Sequence, residues 1–199
     1  MKQIVFATGN ANKLREMRQI LGDSYEVVGL HDIGCDDDIP ETADTFEGNA
    51  LQKAQWVFDR YGLDCIAEDS GLEVDALGGA PGVFSARFAG PGHDSKANNE
   101  LLLKRLEGAT DRSAHFRTAL VLLRKSDGAH IFEGRVNGRI LTALQGEGGF
   151  GYDPLFVPDG WNKTFAQADG AEKNAISHRG RAVAALMSFL DNEKNNTSF

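Results

Sequence analysis

KQIVFATGNANKLREMRQIL, residues 2–21, passes from a short apolar run into an amphipathic one through a small polar turn. Ile4 to Ala7 predicts a strand. Leu14, Met17, Ile20 and Leu21 recur at helical spacing and predict the buried stripe of a helix that follows it. A strand that feeds a helix opens an α/β fold, and such folds bind ligands at the carboxyl ends of their strands. ATGNANK, residues 7–13, lies at that junction. Thr8, Gly9 and Asn10 there can turn amides and short polar groups toward a phosphate, and Lys13 adds a mobile charge. The pattern G-x-x-x-x-G-K-[ST] is absent, so this is not a Walker A loop. A plain turn with an asparagine cap and a surface lysine is the alternative, and the motif alone leaves both open.

The rest of the chain continues the alternation. Asp44 and Glu47 resemble a capping pair for a second helix carrying Phe46, Ala50, Ala54, Val57, Phe58 and Tyr61 on one face. Cys65-Ile66-Ala67 reads as a returning strand, Leu72 and Val74 as another short one, and Asn98 to Leu106 as a helix. Ala114 to Leu123 and Ala129 to Ile140 form a hairpin pattern across Ser126-Asp127-Gly128. The expected fold is α/β, a mixed sheet flanked by helices, in one domain over residues 1–199 with a disordered tail from about 192.

Composition narrows the class. Hydrophobic residues at 41% and charged ones at 25% describe an ordinary globular protein with a sizeable core. No apolar run is long enough for a membrane span or a signal segment, and Cys35 and Cys65 form no disulfide framework, so a cytoplasmic protein is expected. A net charge of -8 argues against a duplex nucleic-acid partner. An acidic protein that handles phosphates needs local cations or a metal.

Two acidic segments bear on a metal. In AEDSGLEVD, residues 67–75, Glu68 and Asp69 at an expected strand end, followed by Ser70-Gly71, suit a hydrated Mg2+. The alternative is an acidic turn capping backbone amides. The run Asp32 to Glu47 lacks the glycine and distal glutamate of an EF-hand, and Glu41 is its one candidate ligand.

GEGGFGYDPLF, residues 146–156, and EKNAISHRG, residues 172–180, join glycine-rich backbone and aromatic rings to cations. Gly148, Gly149 and Gly151 can let the main chain approach a ligand, Phe150 and Tyr152 offer flat faces, and Lys173, His178 and Arg179 offer charge. The spacing of Gly146, Gly148 and Gly151 matches a dinucleotide-binding turn, but Pro154 and the strand pattern Leu155-Phe156-Val157 leave no helix for it. Ser177 reads as an N-cap ahead of Val183, Leu186, Met187 and Leu190, which puts His178 and Arg179 in a first helical turn. The helix dipole disfavours cations there unless an anion binds between them, so the pair reads as a phosphate or purine-oxygen site; the alternative is that Arg179 points back to a nearby carboxylate and His178 is an exposed cap residue.

Taken together, ATGNANK (7–13), ETADTFEGNALQKA (41–54), AEDSGLEVDALGGAPGVFSARFAG (67–90), GGFGYDPLF (148–156) and EKNAISHRGRA (172–182) resemble the inosine/xanthosine triphosphate pyrophosphatase family, the Ham1-like hydrolases. The resemblance covers nearly the whole chain. It implies an elongated mixed sheet with two lobes and a cleft between them, a homodimer, and Mg2+-dependent hydrolysis of ITP, dITP and XTP to the monophosphate and pyrophosphate. By position it implies Thr8, Gly9, Asn10, Ala11, Asn12 and Lys13 for phosphate, and Glu41 and Asp69 for metal, with Asp69 also the general base. Ser70, Phe150, Gly151, Tyr152, Asp153, Lys173, His178 and Arg179 are implied for the rest of the substrate. The chain departs from the family pattern at Glu68, where aspartate is common, at Gln167-Ala168 and at Leu101. The longer Glu68 leaves its own share of metal binding open. A Maf-like pyrimidine pyrophosphatase lacks the ATGNANK opening and SHRG ending; a nucleotide sensor that binds without cutting is the other alternative.

Overall fold

The computed structural model describes residues 2–22 and 24–196. In order, the elements are β1 (Lys2–Phe6), α1 (Ala11–Leu21), β2 (Tyr25–Val28), α2 (Phe46–Tyr61), β3 (Cys65–Val74), α3 (Ser95–Arg105), β4 (Ser113–Arg124), β5 (Gly128–Ile140), β6 (Phe156–Pro158), α4 (Gly170–Ile176) and α5 (His178–Asn196). The six strands form one sheet in the order β2-β1-β3-β4-β5-β6. β1 runs parallel to β2 (Lys2 opposite Tyr25) and to β3 (Val5 opposite Cys65), while β5 and β6 are antiparallel. This is the mixed α/β sheet that the alternating pattern predicts.

Several boundaries differ from the sequence reading. The two short strands at 65–67 and 72–74 are one ten-residue strand, so Glu68 and Asp69 lie inside β3 and not at a strand end. A continuous strand is possible because burial on both sides removes the usual alternation, and both carboxylates find partners. The α2 cap is Thr45, whose hydroxyl accepts from Gly48 N at 3.0 Å; Asp44 is not the cap. α3 starts earlier than Asn98, because Asp94 accepts from Lys96 N and Ala97 N. β2 went unread, its four residues being too few for a periodic signal. α5 continues to Asn196, past the expected start of the disordered tail; the tail's residues 197–199 lie outside the described residues.

The chain packs as two compact units. Unit 1 comprises residues 1–69, 118–134 and 179–199; unit 2 comprises 70–117 and 135–178. The core of unit 1 is built by Phe6, Met17, Leu21, Ile66, Leu120, Val183 and Leu186, which joins the α1 stripe to that of α5 across the inner strands. The core of unit 2 is more aromatic, with Phe116, Tyr152, Phe156 and Phe165 among Leu72, Leu102 and Ile140. Phe116 and Phe156 meet edge to face at 4.8 Å between ring centres, a geometry that favours aromatic pairs.

Candidate active site

The unit boundary falls inside two of the motifs, between Asp69 and Ser70 and between His178 and Arg179. Each unit carries its own polar residues.

In unit 1 the set grows from α1. Asn10 caps the helix by accepting from Asn12 N at 3.0 Å and Lys13 N at 3.2 Å, and Thr8 Oγ1 accepts from Asn10 N at 3.1 Å. Asn12 in turn accepts from Arg15 at 2.9 Å. The polar side chains of this turn thus serve the helix start, as the simpler reading of the motif has it. Gly9 and Ala11 are exposed. Lys13, however, is no surface lysine: its side chain is 15% exposed and its ammonium lies 3.2 Å from Glu68 Oε1.

Adjacent residues on a strand point to opposite faces, which separates Glu68 from Asp69. Glu68 receives Arg179 in fork geometry, Nε at 2.7 Å and a terminal nitrogen at 2.8 Å, and Glu16 on α1 takes the other terminal nitrogen. The guanidinium is 1% exposed. The carboxylates hold Arg179 strongly protonated against its burial. Arg179 thus points back to carboxylates of the chain itself, Glu68 and Glu16, which is the alternative reading of the start of α5. The Glu68 oxygens are engaged by Arg179 and Lys13, and the carboxylate anchors the arginine.

Asp69 is buried, with Oδ2 accepting from Asn49 Nδ2 at 2.9 Å. Burial raises its pKa above the usual carboxylate range; Lys13 and Lys53 oppose the rise, Glu41 adds to it, and the Asn49 bond lowers it again. Lys53 is itself paired with Glu41. Lys13 thus acts on both Glu68 and Asp69, and Arg179 meets it at Glu68; Glu16 beside Arg179, and Asn49 and Lys53 beside Asp69, are the partners the sequence reading missed. The missed signal was spacing. Asn49 and Lys53 are four apart on the apolar face of α2, and Glu16 follows Lys13 by three on α1.

Among the described residues, no group of three or more His, Cys, Asp or Glu is arranged for a metal. The donor chemistry still fits Mg2+, which takes one or two carboxylates and completes its shell with water and substrate phosphates. Glu41 and Asp69 would supply that pair, since the Glu41 charge acts on Asp69. Charge supports the same fit. Three cations, Lys13, Lys53 and Arg179, stand against four carboxylates, Glu16, Glu41, Glu68 and Asp69, so the set carries an excess of negative charge that a cation would offset.

In unit 2 the glycine-rich turn is tightly built. Gly149 has φ 68°, and a side chain there would collide with the Asp153 carboxylate; one at Gly148 would press on Ala166 O. The fold of the turn itself therefore requires these two glycines. Gly151, at φ 59°, faces open space. The turn leads into β6 and not a helix, which excludes a dinucleotide-binding turn. Asp153 Oδ2 accepts from Phe150 N at 2.9 Å and from Lys173 Nζ at 2.7 Å. Lys173 lies 4.6 Å from the Phe150 ring centre, a cation–π distance. His178 is buried and stacked on Phe116, 4.8 Å between ring centres and 12° from parallel, so it is no exposed cap residue. Tyr152 departs from expectation. It is 4% exposed in the core, and its hydroxyl donates to Ser85 O at 2.7 Å, so it offers no face to a base. Ser70 is half-buried within β3. Arg87 lies over Phe84, 5.3 Å from the ring centre, and lines an open hollow of about 520 Å³ with Ala80, Pro81, Phe88 and Pro91.

Among the described residues no helix is long and apolar enough to cross a membrane. Residues 4–189 match the model of the Ham1 family. A protein of Porphyromonas gingivalis named dITP/XTP pyrophosphatase is 51% identical over 191 residues, covering 96% of this chain and 98% of its own. A Bacillus licheniformis protein of the same name is 45% identical over 194 residues, covering 96% and 99%. The solved structure of the Staphylococcus aureus Ham1 protein superposes with a TM-score of 0.87 at 41% identity, covering 96% of this chain and all of that one. A family match across nearly the full length, with relatives this similar over both whole chains and a shared fold, leaves one assignment: the chain belongs to the Ham1 family.

Proposed function

We propose that this protein hydrolyses non-canonical purine nucleoside triphosphates, ITP, dITP and XTP, to the nucleoside monophosphate and pyrophosphate. The observation that carries this reading is the buried carboxylate Asp69, raised in pKa by burial and surrounded by Lys13, Lys53 and Glu41. The names of the relatives, dITP/XTP pyrophosphatase, support the substrate class. An acid whose pKa is moved toward neutrality makes a better general base than an ordinary surface carboxylate. In the proposed step Asp69 accepts a proton from water, and the water oxygen bonds to the α-phosphorus. The bond from that phosphorus to the bridging oxygen breaks, and its electron pair leaves with pyrophosphate. Lys13 balances charge on the departing group. Glu41 and Asp69 would hold a Mg2+ ion, which when bound supplies neutralisation of the phosphate oxygens.

Phe150, Gly151, Lys173 and His178 are the proposed contacts of the purine. A 6-keto purine presents an acceptor oxygen and an N1–H, whereas adenine presents an amino group and a bare nitrogen. A donor-rich pocket therefore leaves adenine unpaired. A homodimer in the cytoplasm completes the reading, following the family resemblance.

The test is an incubation of the protein with Mg2+ and a panel of XTP, ITP, dITP, ATP, GTP and modified pyrimidine triphosphates, scored for pyrophosphate and orthophosphate. The expected result is pyrophosphate from the first three and turnover of ATP lower by at least about a hundredfold. Equal turnover of ATP and ITP, or a pyrimidine preference, overturns the substrate reading. No product from any nucleotide favours a sensor.

A further inference from the structure

Asn98 and Asn99 are consecutive buried residues of α3, a helix that carries none of the catalytic or binding groups. Burying a carboxamide is costly unless its hydrogen bonds are met, so the destinations of those bonds are informative. Asn98 serves the 85–89 loop, accepting from Ala89 N at 2.7 Å and donating to Ala86 O at 3.0 Å. Asn99 Nδ2 donates to Ser95 O, one turn back at 2.9 Å, and also to the carbonyl of Gly151 at 2.9 Å.

That second acceptor matters because of what precedes it. Phe150 is flanked by Gly149 at φ 68° and Gly151 at φ 59°. A ring carried between two glycines is held only as well as the bonds that fix them, since glycine has more backbone freedom than any other residue. Asp153 fixes the turn through Phe150 N, and the Tyr152 hydroxyl fixes it through Ser85 O. Asn99 supplies the anchor at Gly151 itself.

We infer that Asn99 is a positioning residue, fixing the Phe150 ring for the purine through the Gly151 carbonyl while touching no substrate. The inference rests on the proposed role of Phe150. Preorganising a contact favours ground state and transition state alike, so its loss raises KM and leaves kcat in place.

The experiment measures kcat and KM for XTP in wild type, Asn99→Ala, Asn99→Asp and Phe150→Leu, with a thermal melt of each. Both Asn99 variants are expected to raise KM about five- to tenfold, the worth of one neutral hydrogen bond, with kcat within about twofold. Aspartate matches asparagine in size but as a carboxylate cannot donate, so with the assay run at alkaline pH, where it is ionised, it does not rescue. It also carries the test if the alanine variant fails to fold. A wild-type KM in Asn99→Asp overturns the inference, as does a fall in kcat at constant KM, the signature of lost active protein. If Phe150→Leu raises KM and the Asn99 variants do not, the anchoring role alone falls. If Phe150→Leu leaves KM unchanged, the purine contact itself falls and the inference goes with it.

Discussion

Asp69→Asn lowers turnover of XTP by about a thousandfold, the scale of a lost general base, while raising the melting temperature of the metal-free protein. The two effects share one cause. Burial raises the Asp69 pKa above that of an unfolded aspartate, so the folded chain binds that proton more tightly than the unfolded one does. The charged form therefore costs stability in full above the raised folded pKa, and the cost fades as pH falls from there to the unfolded carboxylate range, below which it is gone. Asparagine removes the charge, keeps the shape and can still accept from Asn49 Nδ2, now at 2.9 Å from Oδ2. Melting curves at neutral pH and steady-state kinetics on the same preparation check both parts. Turnover within tenfold of wild type contradicts the assignment of Asp69 as base. A lower melting temperature contradicts the account of its burial.

The second large effect concerns architecture. Arg179→Met leaves Glu68 and Glu16 buried without the guanidinium that both of them hold. Removing one partner of a buried ion pair costs roughly 3–5 kcal/mol, because the remaining charge is desolvated and uncompensated. In a protein of this size that lowers the melting temperature by about 10 °C. Arg179→Lys recovers only part, since a single ammonium cannot fork to Glu68 and reach Glu16 as well. Adding Glu68→Gln to Arg179→Met recovers part by another route, removing one of the two carboxylates left without the guanidinium. Urea unfolding of the single and double variants measures both. A loss below about 1 kcal/mol, the range of exposed pairs, contradicts the buried-triad account.

These expectations depend on different amounts of sequence information. The βα opening was legible because the strand and the Leu14, Met17 and Leu21 stripe have distinct periods and meet at one polar turn. The hairpin was legible from its two long apolar runs and the turn between them. β3 was misread because Glu68 and Asp69 look like a strand end when their partners are unknown. Arg179 lies 111 residues beyond Glu68, and no local pattern reports that bond. Tyr152 was misjudged for a similar reason: a tyrosine beside glycines is equally suited to a ligand or to a core, and only the Ser85 carbonyl settles which. Asn49, Lys53 and Glu16 sat at helical spacing from recognised residues, so a search for polar positions on apolar helix faces would have found them. Asn99 offers no such pattern, because its acceptor is a glycine carbonyl 52 residues away.

Hydrolysis of XTP in ¹⁸O-labelled water, followed by mass spectrometry of the products, tests attack at the α-phosphorus most directly. The account predicts one labelled oxygen in the nucleoside monophosphate and none in the pyrophosphate. Label in pyrophosphate, or orthophosphate released with a nucleoside diphosphate, would contradict it.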